Sequence, residues 1–310
     1  MTMAAIKQGG ALNSESRRIV LAQVAGFCFG VRRAVEITLG ERMRSAGCMT
    51  TIGPVVHNTQ VSARLQAEGI EQVVSVDEVA SGTIVISAHG ASPQIKARAK
   101  EQGLNVLDVT CPFVTKVHRS AKQLLEQGYQ IILVGDRGHT EVVGVIGAIE
   151  SRGGEVTVVS APEEVESLDL GPRVGVISQT TQYSSVFEQV AAAVRRRVPD
   201  VRAINTVCGA TEELQHAAVN LARQVEVAIV IGGRSSANSR RLRELCEAEG
   251  VPTYQIETAD EIDEEWIEGK STIGLTAGAS TPDWVIEDVA RRLNFGSLPE
   301  VWNLAHPDEK

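Results

Sequence analysis

The chain repeats one pattern three times. Apolar, β-rich runs at residues 19–24, 105–109 and 201–204 each lead into a cysteine, Cys28, Cys111 and Cys208. A helical pattern follows each cysteine, clearest in Val114, Val117, Ala121, Leu124 and Leu125, which share one face at helical spacing. A second strand follows each helix and ends in a polar loop. Counted from its cysteine, that loop falls 29 residues on at His57, 28 at His139 and 30 at Asn238. A third strand (73–76, 156–159, 254–256) precedes an acidic helical start at Asp77-Glu78, Glu163-Glu164 and Asp260-Glu261. A fourth strand ends in a small polar loop: Ser87-Ala88-His89-Gly90, Ser178-Gln179-Thr180-Thr181 and Thr276-Ala277-Gly278-Ala279-Ser280. The repeat divides the chain into units 19–103, 104–200 and 201–295, with a disordered arm at 1–18 and a tail at 296–310.

Short, almost continuous apolar strands alternating with helices specify an α/β fold with parallel sheets covered on both faces. The expected architecture is three similar βα domains around a pseudo-three-fold axis. Ligands of parallel sheets collect at the carboxyl ends of the strands, where every residue singled out above lies. Equivalent loops converging on the axis would gather Cys28, Cys111 and Cys208 with His57, His89, His139, Glu141, Thr180, Ser236, Asn238 and Ser280.

Three thiols at equivalent positions invite a metal. No C-x-x-C spacing is present, so the donors would have to be assembled by the fold. Three thiolates can hold zinc with one open position, or a four-iron cluster with one iron lacking a protein ligand. Cysteines beside helix N-termini are expected to have depressed pKa values. Cys48 and Cys246 have no counterparts in the repeat and read as core residues. Three histidines carrying charge suit a diphosphate or polycarboxylate, and Ser236, Asn238 and Ser280 add neutral donors at positions typical of helix caps. Glu141 is the one acid in the ring and reads as the proton source. His118, His216 and His306 read as solvated surface. So do residues 261–268, and residues 195–197 complement a helix C-terminus.

The balance of charge narrows the partners. Thirty Lys and Arg against 39 Asp and Glu leave a net charge of −9, which disfavours nucleic acid. No apolar run approaches the length of a membrane span. The first 18 residues lack the hydrophobic region of a signal peptide, and five widely spaced cysteines suit a reducing cytoplasm.

Together the motifs Gly26-Phe27-Cys28-Phe29-Gly30-Val31, Val55-Val56-His57-Asn58, Ser87-Ala88-His89-Gly90, Thr110-Cys111-Pro112-Phe113-Val114, Gly138-His139-Thr140-Glu141-Val142, Ser178-Gln179-Thr180-Thr181 and Thr276-Ala277-Gly278-Ala279-Ser280 resemble, in order, the 4-hydroxy-3-methylbut-2-enyl diphosphate reductase family. The resemblance covers about residues 19–295. It implies a [4Fe-4S] cluster ligated by Cys28, Cys111 and Cys208 with one open iron at the centre of the three domains. It further implies reductive removal of an allylic hydroxyl to give isopentenyl and dimethylallyl diphosphate, the last step of the non-mevalonate route. His57, His89, His139, Ser236, Asn238 and Ser280 would bind the diphosphate, Glu141 would deliver protons, and Thr180 would order the hydroxyl end. Ferredoxin or flavodoxin would supply the electrons. The chain departs from the family pattern at Ala237, where a serine is common, and at Leu214-Gln215, where an Arg-Gln pair is usual. An open iron also serves hydro-lyases, so an iron–sulfur dehydratase is the alternative enzyme. A non-catalytic metal-binding or redox-sensing protein is the alternative of another class.

Overall fold

The computed structural model describes residues 18–293. The arm expected at 1–18, apart from Arg18, and the tail expected at 296–310 lie outside the described residues, as does His306. In chain order the first stretch holds β1 (Arg18–Leu21), α1 (Phe29–Arg44), β2 (Met49–Ile52), α2 (Thr59–Ala67), β3 (Ile70–Val73), β4 (Thr83–Ile86) and α3 (Pro93–Glu101). The second repeats the order with β5 (Asn105–Asp108), α4 (Pro112–Glu126), β6 (Gln130–Val134), α5 (Thr140–Glu150), β7 (Val156–Val159), β8 (Arg173–Ser178) and α6 (Ser184–Arg195). The third holds β9 (Asp200–Ala203), α7 (Gly209–Ala222), β10 (Val227–Ile231), α8 (Ala237–Ala248), β11 (Thr253–Ile256), a short α9 (Glu264–Ile267), β12 (Thr272–Ala277) and α10 (Asp283–Arg292).

These strands form three four-stranded sheets, parallel throughout, ordered β3-β2-β4-β5, β7-β6-β8-β9 and β11-β10-β12-β1. Alternate side chains of a strand face opposite sides, so a strand covered on both faces must be apolar along its length. In β6, Ile132 and Val134 pack with Phe187 and Val190 of α6, while Ile131 and Leu133 pack with Leu124 of α4 and Val145 of α5. In β10, Ile229 and Ile231 join Ile286 and Val289 of α10, and Ala228 and Val230 join Leu214 and Leu242. Among the described residues no helix is long and apolar enough to cross a membrane.

The sheets do not coincide with the sequence units. β5, β9 and β1 open units in the sequence, yet each completes a sheet built by the preceding unit; β1 pairs with β12, in register from Arg18 opposite Thr272 to Leu21 opposite Leu275. The sheets are therefore offset by about one strand from the units expected at 19–103, 104–200 and 201–295. Repetition reveals a period but not where the physical unit is cut. After α3 and α6 the shortest crossover brings the chain back beside β4 and β8, where β5 and β9 satisfy an open edge.

Several strands are also shorter or shifted. The second strand of the first unit runs only from Met49 to Ile52, because Gly53 turns at φ +62° and Pro54 has no N–H for a ladder. The strand expected at 73–76 is Ile70–Val73. Ser75 instead caps a 3₁₀ turn at Val76–Glu78, and Glu78 accepts the Val74 and Ser75 N–H groups. The other acidic starts are likewise 3₁₀ turns, at Pro162–Ser167 and Ala259–Glu261.

A chain shortened to begin at Ala22 should leave β12 as an unpaired edge. Amide exchange in β12 should then accelerate while β6 keeps its protection. Unchanged exchange in β12 would show that β1 does not hold the third sheet.

Candidate active site

Each repeated cysteine sits where the chain leaves one sheet and starts the first helix of the next unit. Cys28, Cys111 and Cys208 are the N-cap residues of α1, α4 and α7, with extended backbone and no side-chain cap bond, so their thiols are free to face inward. Their backbones are fixed alike. Cys28 N–H donates to the Ala279 carbonyl at 3.1 Å, Cys111 N–H to Ala88 at 3.0 Å and Cys208 N–H to Thr180 at 2.9 Å. Each cysteine is thereby bound to the loop after β12, β4 or β8, the loops that carry Ser280, His89 and Thr180. Gly30 lets α1 approach closely, since a Cβ there would collide with the Cys111 sulfur.

The second ring comes from the N-termini of α2, α5 and α8. Asn58, His139 and Ser236 cap these helices, accepting from Val61, Glu141 and Ser239 N–H at 3.0, 3.2 and 3.2 Å. His57 precedes Asn58 and Asn238 follows Ser236 within the first turn. The imidazoles of His57, His89 and His139 cluster, with ring centres 4.0, 5.2 and 5.7 Å apart. His57 Nε2 lies 3.2 Å from Thr140 Oγ1, and Ser280 Oγ donates to the His57 carbonyl at 3.1 Å. The Nδ1 atom of His89 and both amide atoms of Asn238 are buried without a partner. Buried polar groups are rarely left so, and here they face a cavity, which marks them as open to a polar ligand.

All eleven residues expected at the centre line one small cavity. Its apolar lining includes Val31, Phe113, Val114 and Ala210. Glu141 is 1% exposed. Its Oε1 accepts the Thr180 N–H at 2.8 Å and its Oε2 accepts the Thr180 hydroxyl at 2.6 Å. Burial pushes its carboxyl up to about 7, against the opposing pull of those two bonds and of Arg241.

Comparison with known proteins places this geometry. The family profile described as LytB protein matches residues 19–294. The chain belongs to the LytB family. It is 39% identical over 275 residues to 4-hydroxy-3-methylbut-2-enyl diphosphate reductase of Aquifex aeolicus, covering 89% of this chain and 95% of that one. The corresponding reductase of Pelobacter propionicus is 42% identical over 280 residues, covering 89% and 97%. A solved (E)-4-hydroxy-3-methyl-but-2-enyl diphosphate reductase, described as the terminal enzyme of the non-mevalonate pathway, is 40% identical with a TM-score of 0.67, covering 89% of this chain and 98% of that one. The Plasmodium falciparum reductase structure is 27% identical with a TM-score of 0.84, covering 93% and 90%. These relatives are reductases, not hydro-lyases or sensors.

In this LytB-family chain, burial overrules two expectations drawn from charge. The thiols are not depressed. Burial pushes Cys28 up to about 12 and Cys208 up to about 11 and also raises Cys111, although N–H groups of α1, α4 and α7 point at them and pull the other way. The histidines are not charged at neutral pH either. Burial lowers His57, holds His89 well below its usual range with help from its two neighbours, and brings His139 down to about 4. Two further readings change. Cys48 is exposed rather than core, whereas Cys246 is buried in α8 as expected. His118 is half-buried, not solvated; burial brings it to about 4, and its Nε2 has no partner.

The two departures are accommodated by packing. Leu214 is 1% exposed in the core beneath β10, and Ala237 lies in the cavity wall. A buried guanidinium does stand nearby, and sequence reasoning missed it. Arg241 of α8 pairs with Asp136 at 2.8 Å, donates to Gln182 Oε1 at 3.2 Å and stacks on Tyr183. Arg240 takes the other Asp136 oxygen at 2.8 Å. These bonds fasten the helix carrying Asn238 to the loop that leads into His139 and Glu141. The signal was present, since two arginines in the first turns of a helix oppose its dipole and need a specific partner.

In the ligand-free protein the His89 and His139 imidazole resonances should keep their neutral-form shifts as the pH falls from about 8 to about 6. An unperturbed histidine changes near pH 6.5. A midpoint near that value for either ring would contradict the buried arrangement.

Proposed function

We propose that this chain reduces (E)-4-hydroxy-3-methylbut-2-enyl diphosphate to isopentenyl and dimethylallyl diphosphate. The balance is one allylic alcohol, two electrons and two protons giving one alkene and one water. The observation that carries the reading is the buried Glu141–Thr180 pair, which shares one cavity with three thiols and three imidazoles. A reductive dehydroxylation needs all three kinds of group.

The donor set fits an iron–sulfur cluster. Three free thiols line one cavity and lie near enough for Cys28 to feel the charge of the other two. Among the described residues no group of three or more His, Cys, Asp or Glu is arranged to hold a single ion. Protonated in the apoprotein, they would lose their protons to metal on loading. Bound through Cys28, Cys111 and Cys208 with one iron open, a [4Fe-4S] cluster would supply a Lewis-acidic position and a path for electrons.

The chain's own groups divide the remaining work. His57, His89, His139, Ser236, Asn238 and Ser280 bind the diphosphate, which gives partners to the buried polar atoms of His89 and Asn238 that lack one within the protein. A bound polyanion favours the charged imidazolium, so the histidines take up protons as the diphosphate enters. Thr180 holds both oxygens of Glu141 and presents its carboxyl from a fixed place. Glu141 gives a proton to the departing hydroxyl and, recharged, to the allylic carbon. A side chain held at about 7 is matched to proton transfer near neutrality. The apolar wall of Val31, Phe113 and Val114 excludes water that would otherwise compete for that proton. Ferredoxin or flavodoxin supplies the electrons.

Serine at Cys28, Cys111 or Cys208 should abolish the visible absorption and iron content of anaerobically purified protein, while serine at Cys48 or Cys246 leaves both intact. Equal loss in all five variants would remove the ligand assignment.

Glu141→Gln keeps size and hydrogen bonding but not the proton. Turnover should fall about 10²–10⁴-fold with cluster content and substrate binding near wild type. In the wild-type enzyme, turnover should decline as pH rises through about 7, because a raised pKa keeps the acid protonated below it and loses the proton above. Full turnover in the variant would move the proton source elsewhere.

A further inference from the structure

The reductase reading requires two electrons from outside, so a donor must reach the thiol end of the cavity; resting on that reading, we propose that the groove between α3, α4 and α5 is the docking site for a small, acidic-surfaced protein carrying a one-electron centre. The groove is lined by Lys96 and Lys100 of α3, Arg119 and Lys122 of α4, and Arg152 just beyond α5, with no carboxylate in its lining. This stands out in a chain of net charge −9. Lys96 and Lys122 are partly compensated, by Asp108 at 2.5 Å and Glu126 at 3.5 Å. Lys100 and Arg119 are exposed and, among the described residues, form no ion pair. Such a field steers an acidic partner and fixes its orientation.

The position matters as much as the charge. Gly90 and Thr110 are among the residues that line the groove. Gly90 directly follows His89, and Thr110 directly precedes Cys111. The same two loops therefore contribute to both the groove and the cavity. The two loops and α4 pack closely here: at Gly90, with φ +78°, a Cβ would lie 3.3 Å from the Thr110 methyl and 3.4 Å from the His118 ring. A partner seated here stands one residue from Cys111.

The arrangement favours a protein over a small anion. Lys100, Arg119, Lys122 and Arg152 are exposed and spread over three elements of an open groove. Only His118 offers a buried free nitrogen. A built phosphate site would converge several donors on one point, whereas dispersed long cations match an acidic protein face. Each reduced carrier gives one electron and leaves oxidised, so two dockings serve one turnover.

The test compares Lys100→Glu/Arg119→Glu with a control of equal charge change far from the groove, Arg44→Glu/Arg291→Glu, both as cluster-loaded enzyme. Binding of an oxidised plant-type [2Fe–2S] ferredoxin is measured at low and high salt, alongside turnover with that ferredoxin and with reduced methyl viologen. The groove variant should bind the ferredoxin about ten-fold more weakly at low salt and raise its KM, keeping methyl viologen turnover and cluster absorption; the control should match wild type. Unchanged affinity, or equal weakening in the control, overturns the proposal. So does a variant that loses affinity for inorganic diphosphate at the groove while keeping the ferredoxin, which would make this a small-anion site. Absence of methyl viologen turnover in the wild-type enzyme would instead count against the reductase reading itself.

Discussion

Desolvation governs the centre of this molecule. Every ionisable side chain expected to act there is pushed toward its uncharged form: the three thiols and Glu141 upward, the three imidazoles downward. In each acid the opposing forces are present and insufficient. Helix N–H groups point at the cysteines, and two Thr180 hydrogen bonds reach Glu141. The burial that overrules them follows from the architecture, because three doubly covered sheets turn their loop ends to one axis and leave little room for water.

The discharged groups that line this cavity are therefore poised to regain charge selectively. A metal cluster would draw protons from the thiols, and a diphosphate would bring protons to the imidazoles. The two ends of the cavity respond in opposite senses, so the proposed cofactor and substrate do not compete for the same groups. Between them Glu141 stays near the midpoint, able to hold or release one proton as the reaction asks. Its placement depends on Thr180, whose carbonyl also receives the Cys208 N–H. One backbone position thus ties the acid to the thiol ring.

Much of this was legible in the sequence. The spacing from each cysteine to its polar loop located the cavity residues, because a strand–helix repeat fixes which residues reach the carboxyl edge. Glu141 stood out by sitting two residues from His139. What was not legible was whatever depends on the third dimension. The sheet membership of β1, β5 and β9 follows from edge pairing, to which a repeat is indifferent. The charge states of Cys28 and His139 follow from exclusion of water, and a helix dipole read from the sequence carries no measure of that. Arg241 required knowing that α8 packs against the loop holding Asp136. His118, one residue after Val117 on α4, looked peripheral because the helix pattern shows one buried face and not the second contact against Gly90 and Gly144.

The pairing of β1 with β12 gives the chain the topology of a ring that has been cut. The first described strand closes the sheet built by the last unit, as β5 and β9 close the first and second. Each cysteine marks one of three equivalent joints in that ring, the point where the backbone passes from a finished sheet into the next unit's first helix. Among the described residues the three joints follow one another in a cycle, each sheet finished by the strand that leads to the next cysteine.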